Sequence, residues 1–140
     1  MRSVIPSPFL RTALTADAVV SGGVAALQLT AASWLSELLM LPRTLLVESG
    51  AFLVAYTVLL VALARSARVP SAVVGIIVLG NIAWAVGCLG LLAMDAPAPS
   101  RLGVAFVLVQ ALAVLLFAAL EYVGLNASQR MGGGSAVLTR

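Results

Sequence analysis

Four long apolar stretches, separated by short polar segments, dominate the sequence. They cover residues 12–34, 44–64, 71–94 and 102–124. Each is about as long as the roughly 20 residues that a helix needs to cross a hydrocarbon core about 30 Å thick. The pattern therefore predicts an all-α membrane protein with one transmembrane domain over residues 12–125. Residues 1–11 are predicted to form an N-terminal tail, and residues 126–140 a flexible C-terminal tail.

The polar segments between the stretches contain residues that end helices. Pro42 follows the first stretch, residues 65–70 contain two arginines and a proline, and residues 95–101 contain two prolines. Proline disfavours a helical conformation at the residue before it and removes a backbone donor. Because links this short join antiparallel neighbours, we expect an up-down-up-down four-helix bundle.

The composition supports a membrane protein and excludes several kinds of chemistry. The chain is 62% apolar and only 9% charged, with no histidine and one cysteine. Its eight basic residues are all arginines. It therefore lacks an imidazole base, histidine metal ligands and a lysine for a Schiff base. We expect no cofactor, no metal, no nucleic-acid partner and no enzymatic activity, and we expect the lipid bilayer as the main partner.

The arginines are distributed unevenly around the predicted spans, and this predicts an orientation. A cytoplasmic N-terminus places six of them inside and leaves only Arg43 and Arg101 outside. The six are Arg2, Arg11, Arg65, Arg68, Arg130 and Arg140. We therefore expect a multi-pass protein of the bacterial cytoplasmic (inner) membrane with both termini in the cytoplasm. The first helix is expected to be retained rather than cleaved, because Asp17 interrupts its apolar run.

Two carboxylates lie in the cytoplasmic halves of the predicted spans. Asp17 is placed roughly 8 Å into the first helix, and Glu121 near the cytoplasmic end of the fourth. Arg11, Arg65 and Arg68 lie on the same side, so one interpretation is a structural ring of ion pairs or arginines that reach the interface. The other interpretation is functional, because charges within a span are costly.

A second set of polar side chains is predicted at similar depth in the outer half of the bundle. Every span contributes at least one, and each of these groups needs a hydrogen-bonding partner in hydrocarbon. The set is Gln28, Glu48, Asn81, Trp84 and Gln110. It is interpreted either as a source of interhelical hydrogen bonds or as a small outward-open pocket with Glu48 as its titratable group.

The two halves of the chain also show a weak internal similarity. Aligning Ala51-Phe52 with Ala105-Phe106 places Tyr56 opposite Gln110. Each half would then be one helical hairpin of a parallel tandem repeat. Chance matches between apolar segments are the alternative explanation.

Several short motifs resemble a group of small bacterial four-helix membrane proteins of uncharacterised activity. The resemblance covers about residues 7–125 and implies a four-helix fold, but no catalytic residue. Its motifs are Ser7-Pro8-Phe9-Leu10-Arg11, Ala16-Asp17-Ala18, Ser21-Gly22, Leu41-Pro42, Asn81 with Trp84, Gly103-Val104-Ala105-Phe106 with Gln110, and Tyr122-Val123-Gly124-Leu125.

These features suggest three hypotheses for function. The first is a structural or accessory subunit whose polar groups hold its helices together or bind an unknown membrane partner. The second is a small transporter or proton-coupled carrier, working as a homo-oligomer, with Asp17 and Glu48 as ionisable stations. The third, and least favoured, is an enzyme acting on a lipid or quinone with Glu48, Asp17 or Tyr56 as acid or base.

Overall fold

The protein is an all-α bundle in which four helices are long and apolar enough to cross a membrane. The computed structural model describes residues 3–94 and 98–137, with side chains described as far as residue 130. The four long helices are α1, α3, α4 and α5, and they confirm the predicted fold class. The elements in chain order are β1 Ser3–Val4, α1 Pro8–Thr30, α2 Ala32–Leu39, α3 Arg43–Arg65, β2 Val69–Pro70, α4 Ser71–Ala93 and α5 Arg101–Val137.

The long helices pack as two antiparallel hairpins. Helix α1 packs mainly on α3, α4 packs mainly on α5, and α1 joins the hairpins by also packing on α5. Although α3 and α4 are consecutive, their backbones approach each other much less closely. One apolar cluster, which includes Leu14, Leu60 and Val74, fills one end of the bundle. A second cluster, which includes Leu39 and Leu46, fills the opposite end.

The first helix begins at Pro8, four residues before the predicted start of the span. The Ser7 hydroxyl accepts a hydrogen bond from the Leu10 N–H, and Pro8 occupies the first helical position, where its missing N–H costs nothing. Ser3–Val4 pairs antiparallel with Val69–Pro70. The predicted tail over residues 1–11 is therefore partly ordered, with Arg2 outside the described residues.

The predicted first span over residues 12–34 is also wrong at its C-terminal end. Helix α1 ends at Thr30, and α2 is a separate helix over Ala32–Leu39. The Thr30 hydroxyl donates to the Ala26 carbonyl, which is a bond that often accompanies bending of a helix. Helix α2 then ends at Met40, which has the left-handed φ of 55°. The other three spans begin and end close to the predicted positions, except for the end of α5.

Helix α5 continues beyond the predicted span, so the prediction of a flexible tail over residues 126–140 is wrong for residues 126–137. The physical reason lies at Ser128, which is buried. Its hydroxyl accepts from the Ser7 N–H at 2.9 Å and donates to the Gly124 carbonyl at 2.7 Å. This contact secures α5 to the start of α1. Residues 138–140, including Arg140, lie outside the described residues.

Candidate functional site

A cluster of polar side chains lies near the middle of the bundle, between its two apolar ends. Asp17 of α1 and Glu121 of α5 are both fully buried, with 0% of their surface exposed. The Asn81 Nδ2 atom of α4 donates to both carboxyl groups, at 3.3 Å from Asp17 Oδ2 and 3.2 Å from Glu121 Oε2. One amide nitrogen thus connects the two acids.

The remaining members of this cluster are Tyr56 of α3 and Ser21 of α1. The Tyr56 hydroxyl lies 2.8 Å from Asp17 Oδ2 and 3.0 Å from Asn81 Oδ1, so its single proton is shared between two acceptors. The Ser21 hydroxyl donates to Asp17 Oδ1 at 2.8 Å. All four long helices therefore contribute to one hydrogen-bonded group, here called the central cluster: Asp17, Ser21, Tyr56, Asn81 and Glu121.

The two acids differ in how well they are satisfied. Asp17 accepts hydrogen bonds on both of its oxygens. Among the described residues, by contrast, nothing donates to the buried Oε1 atom of Glu121. The two carboxyl groups are close to each other, because the same Asn81 Nδ2 atom donates to both.

The structure corrects the predicted depths of both acids. Because α1 begins at Pro8, Asp17 lies roughly 14 Å from its start rather than 8 Å. Glu121 is not near a helix end, since α5 continues to Val137. The two side chains consequently meet at the middle of the bundle.

The predicted ring of ion pairs around these acids is wrong. The Arg11 guanidinium instead donates to the Ala64 and Ser66 carbonyls at 2.8 and 2.9 Å, where it caps the end of α3. Arg65 and Arg68 are exposed at that same end. No ion pair between these arginines and the two acids is present in the described part of the chain.

A large cavity of about 870 Å³ opens between α3 and α4, on the side of the central cluster nearer α2. Three of the predicted outer polar residues, Gln28, Trp84 and Gln110, line it. The Gln28 Oε1 atom accepts from the Ser49 hydroxyl at 3.2 Å. Most of the remaining lining is aliphatic, and it also includes Phe52 and Cys88.

The other two predicted outer residues are not in this cavity. Glu48 is exposed on α3 and does not line the cavity, so its predicted role as the titratable group of this pocket is wrong. Asn81 lies near the middle of α4, as predicted, but it belongs to the central cluster.

A small cavity of about 320 Å³ reaches the central cluster itself, because Ser21, Tyr56 and Asn81 form part of its wall. Phe52 and Trp84 line both cavities. Their rings are stacked 5.5 Å apart at an interplanar angle of 12°. This aromatic pair therefore separates the large cavity from the small one.

The sequence interpretation missed Ser21 and Phe52. Ser21 lies one turn after Asp17, at the spacing at which helical side chains meet. Phe52 lies one turn before Tyr56, and their rings stack at 6.3 Å. The i, i+4 spacing was the available signal in both cases.

No cluster of three or more His, Cys, Asp or Glu side chains that could hold a metal ion occurs in the described ranges. Comparison of the chain with protein-family models, with curated proteins and with solved structures finds no match. The geometry of the central cluster and the two cavities is therefore the basis for a functional proposal.

Proposed function

We propose that this protein is a proton-coupled carrier of the bacterial cytoplasmic membrane, with Asp17 and Glu121 as its proton-binding pair. The observation that supports it is the placement of two fully buried carboxyl groups on one amide nitrogen, next to a cavity. The pair replaces the Asp17 and Glu48 stations suggested by the sequence. Both termini are proposed to be cytoplasmic.

Electrostatics supports a proton in this pair. Two carboxylates that share a buried site repel each other, and burial penalises each charge. Asp17 accepts hydrogen bonds from Ser21, Tyr56 and Asn81. Glu121 receives only one such bond, from Asn81, so it is the better site for the proton.

The small cavity supplies a route by which this proton could exchange. It touches Tyr56 and Asn81, both of which are bonded to Asp17. The stacked Phe52 and Trp84 rings separate it from the large cavity. Movement of the two rings would connect the large cavity, as the site for a carried molecule, to the Asp17–Glu121 pair. Such a connection is what coupling requires.

The orientation is supported by the positions of the chain segments around the bundle. Ser7, the link over residues 66–70 and Ser128 meet at one end. Arg68 lies in this link, and Arg11, Arg65 and Arg130 lie within four residues of these segments. Positive residues favour the cytoplasmic side, so this end is proposed to face the cytoplasm.

Infrared spectroscopy of the full chain in lipid nanodiscs tests the proton-binding pair. We expect a protonated-carboxyl band that shifts in D₂O and titrates with bulk pH. Glu121→Gln should remove it, because this variant lacks the carboxyl group on which the proton is placed. Glu48→Gln is the control and should leave the band unchanged. A spectrum without such a band would contradict the proposal.

Proteoliposomes that contain a pH-sensitive dye test carriage. Under an imposed potential, the wild-type protein should admit protons faster than protein-free liposomes, and Asp17→Asn and Glu121→Gln should slow this entry. Glu48→Gln should behave like the wild type. Equal rates of proton entry for the wild type and all variants would refute the proposal of a carrier.

An accessory subunit is the second candidate, and one observation favours it. The central cluster links α1, α3, α4 and α5 by hydrogen bonds, which is also what a purely structural network would do. In that case Asp17→Asn and Glu121→Gln would lower stability without affecting any flux. Neither candidate is an enzyme, and the proposed homo-oligomer or membrane partner stays a prediction for both.

A further inference from the structure

The large cavity contains polar groups whose hydrogen-bonding capacity is unused. Gln28 is only 2% exposed, and its Oε1 atom is occupied by the Ser49 hydroxyl. Its Nε2 atom donates to no residue that the structure describes, and the side-chain amide of Gln110 likewise has no partner there. Both side chains line the same cavity.

Such groups are costly at this depth. Hydrocarbon offers no hydrogen bonds, so an amide without a partner carries its full desolvation penalty. A molecule that supplies acceptors in the cavity would remove this penalty. The available groups are mainly donors, namely the Gln28 and Gln110 amides and the indole N–H of Trp84. They would suit carbonyl oxygens.

The walls of the cavity indicate the shape of the missing molecule. Phe52 and Trp84 present parallel rings at one end. The α4 wall contains Gly80 and Gly87, and a Cβ atom added at either position would meet nothing within 4 Å. A volume of about 870 Å³ is within the range of small-molecule sites. The space therefore suits a flat ring with an apolar substituent.

We propose that the large cavity binds a planar, lipid-soluble molecule with ring carbonyl groups, held by the amides of Gln28 and Gln110 and packed against Trp84. The further step of calling this molecule the substrate of the carrier rests on the proposed function. Binding itself does not need proton movement, so the two proposals can fail separately. An acyl chain or a helix of a second copy would leave the amides without acceptors of this kind.

Tryptophan fluorescence provides the test, because the chain contains only two tryptophans. In Trp34→Phe protein, Trp84 is the sole reporter. The full chain is placed in phosphatidylcholine nanodiscs and titrated with a decyl-substituted benzoquinone, which quenches nearby indole rings. We expect saturable quenching, and decylbenzene, which lacks the carbonyls, should not compete at equal concentration.

Variants identify the site. Gln28→Leu and Gln110→Leu should each weaken binding about five- to tenfold, as expected for the loss of one hydrogen bond. Gln129→Leu, on an exposed position, should not. Gly87→Leu should abolish saturation by filling the cavity. Gly75→Leu also has open space around it, but it lies outside the cavity and should bind normally.

Three outcomes would overturn the proposal. Quenching that rises linearly without saturation would indicate only partition into lipid. Equal competition by decylbenzene would indicate an acyl-chain cleft. The third outcome concerns oligomeric state. If the parent protein is a dimer that does not bind the probe, and Gly87→Leu makes it monomeric, the cavity is occupied by a second copy of the chain. The Glu121→Gln variant should still bind the probe. If the proposal of a proton-binding pair fails, the result on probe binding therefore still stands.

Discussion

Tyr56 is the residue through which α3 takes part in the central cluster. Its hydroxyl contacts both Asp17 and Asn81, whereas Phe52, one turn earlier on the same face, contributes only an aromatic surface. The hydroxyl therefore connects α3 to Asp17 of α1 and to Asn81 of α4. Its loss would leave the buried Asp17 carboxyl group with fewer donors.

Tyr56→Phe should lower the free energy of unfolding by about 1 kcal/mol, since interhelical hydrogen bonds in membranes contribute on that order. Thermal unfolding in detergent, followed by circular dichroism, measures it. Tyr122→Phe is the matched control, because Tyr122 is the only other tyrosine and is 57% exposed. Its stability should stay unchanged. Equal stability of all three proteins would show that the Tyr56 hydroxyl contributes nothing.

At the same scale, the sequence identified charged residues better than it identified their partners. Asp17 was evident because a charge interrupts an apolar run, and that signal needs no knowledge of packing. That Asp17 shares the Asn81 amide with Glu121 was not predictable, because the two acids lie on different helices and the start of α1 decided their relative depth. Glu48 looked equivalent in sequence but lies on an exposed face.

Between elements, glycines set how closely the helices approach. A Cβ atom at Gly124 of α5 would lie 2.9 Å from the Leu10 Cα atom of α1. A Cβ atom at Gly50 of α3 would lie 3.1 Å from the Gln28 Cβ atom. Small residues allow this kind of backbone approach in membranes. The Gly124 contact brings α5 to the level at which Glu121 meets Asp17.

Gly124→Ala should destabilise the protein by about 1–3 kcal/mol, the usual cost of forcing extra atoms into a packed interface. Thermal unfolding in detergent measures the change. Gly75→Ala is the control, because a Cβ atom there meets nothing within 4 Å and alanine favours a helix. Its stability should be equal or slightly higher. If Gly124→Ala unfolds at the wild-type temperature, this close approach is not important for stability.

Over the whole molecule, the arrangement of the two hairpins creates the candidate site. Helices α1 and α5 form the continuous contact between the hairpins, so α3 and α4 stand apart and both cavities open between them. Hairpins of this kind agree with the tandem repeat suggested by the sequence, although they do not test it. A closed bundle with equal contacts would have no such gap.

Reporter fusions test the orientation of the whole molecule. Alkaline phosphatase fused after Arg140 should be inactive, and green fluorescent protein fused there should fluoresce, because the arginine-rich end is proposed to be cytoplasmic. Alkaline phosphatase fused after Leu41, between α2 and α3, is the control and should be active. The reverse pattern would invert the proposed topology.

The sequence by itself determined the class of protein and the number of long helices. Apolar runs of membrane-spanning length and links rich in proline and charge are local signals, which is why three of the four starts and two of the four ends were close to those observed. Local signals also predicted Asp17, Gln28, Asn81 and Glu121 as polar residues inside the bundle, but they missed Ser21 and wrongly included Glu48. The start at Pro8, the break at Ala31 and the length of α5 depended on caps and contacts such as Ser7 with Ser128.

Only the tertiary structure decided which polar groups meet. Asn81 faces the two acids rather than the outer residues, and the Arg11 side chain caps α3 instead of pairing with a carboxylate. These contacts depend on helix rotation and on the gap between α3 and α4. Both are set by packing between residues far apart in the chain, so no pattern within one helix could have specified them.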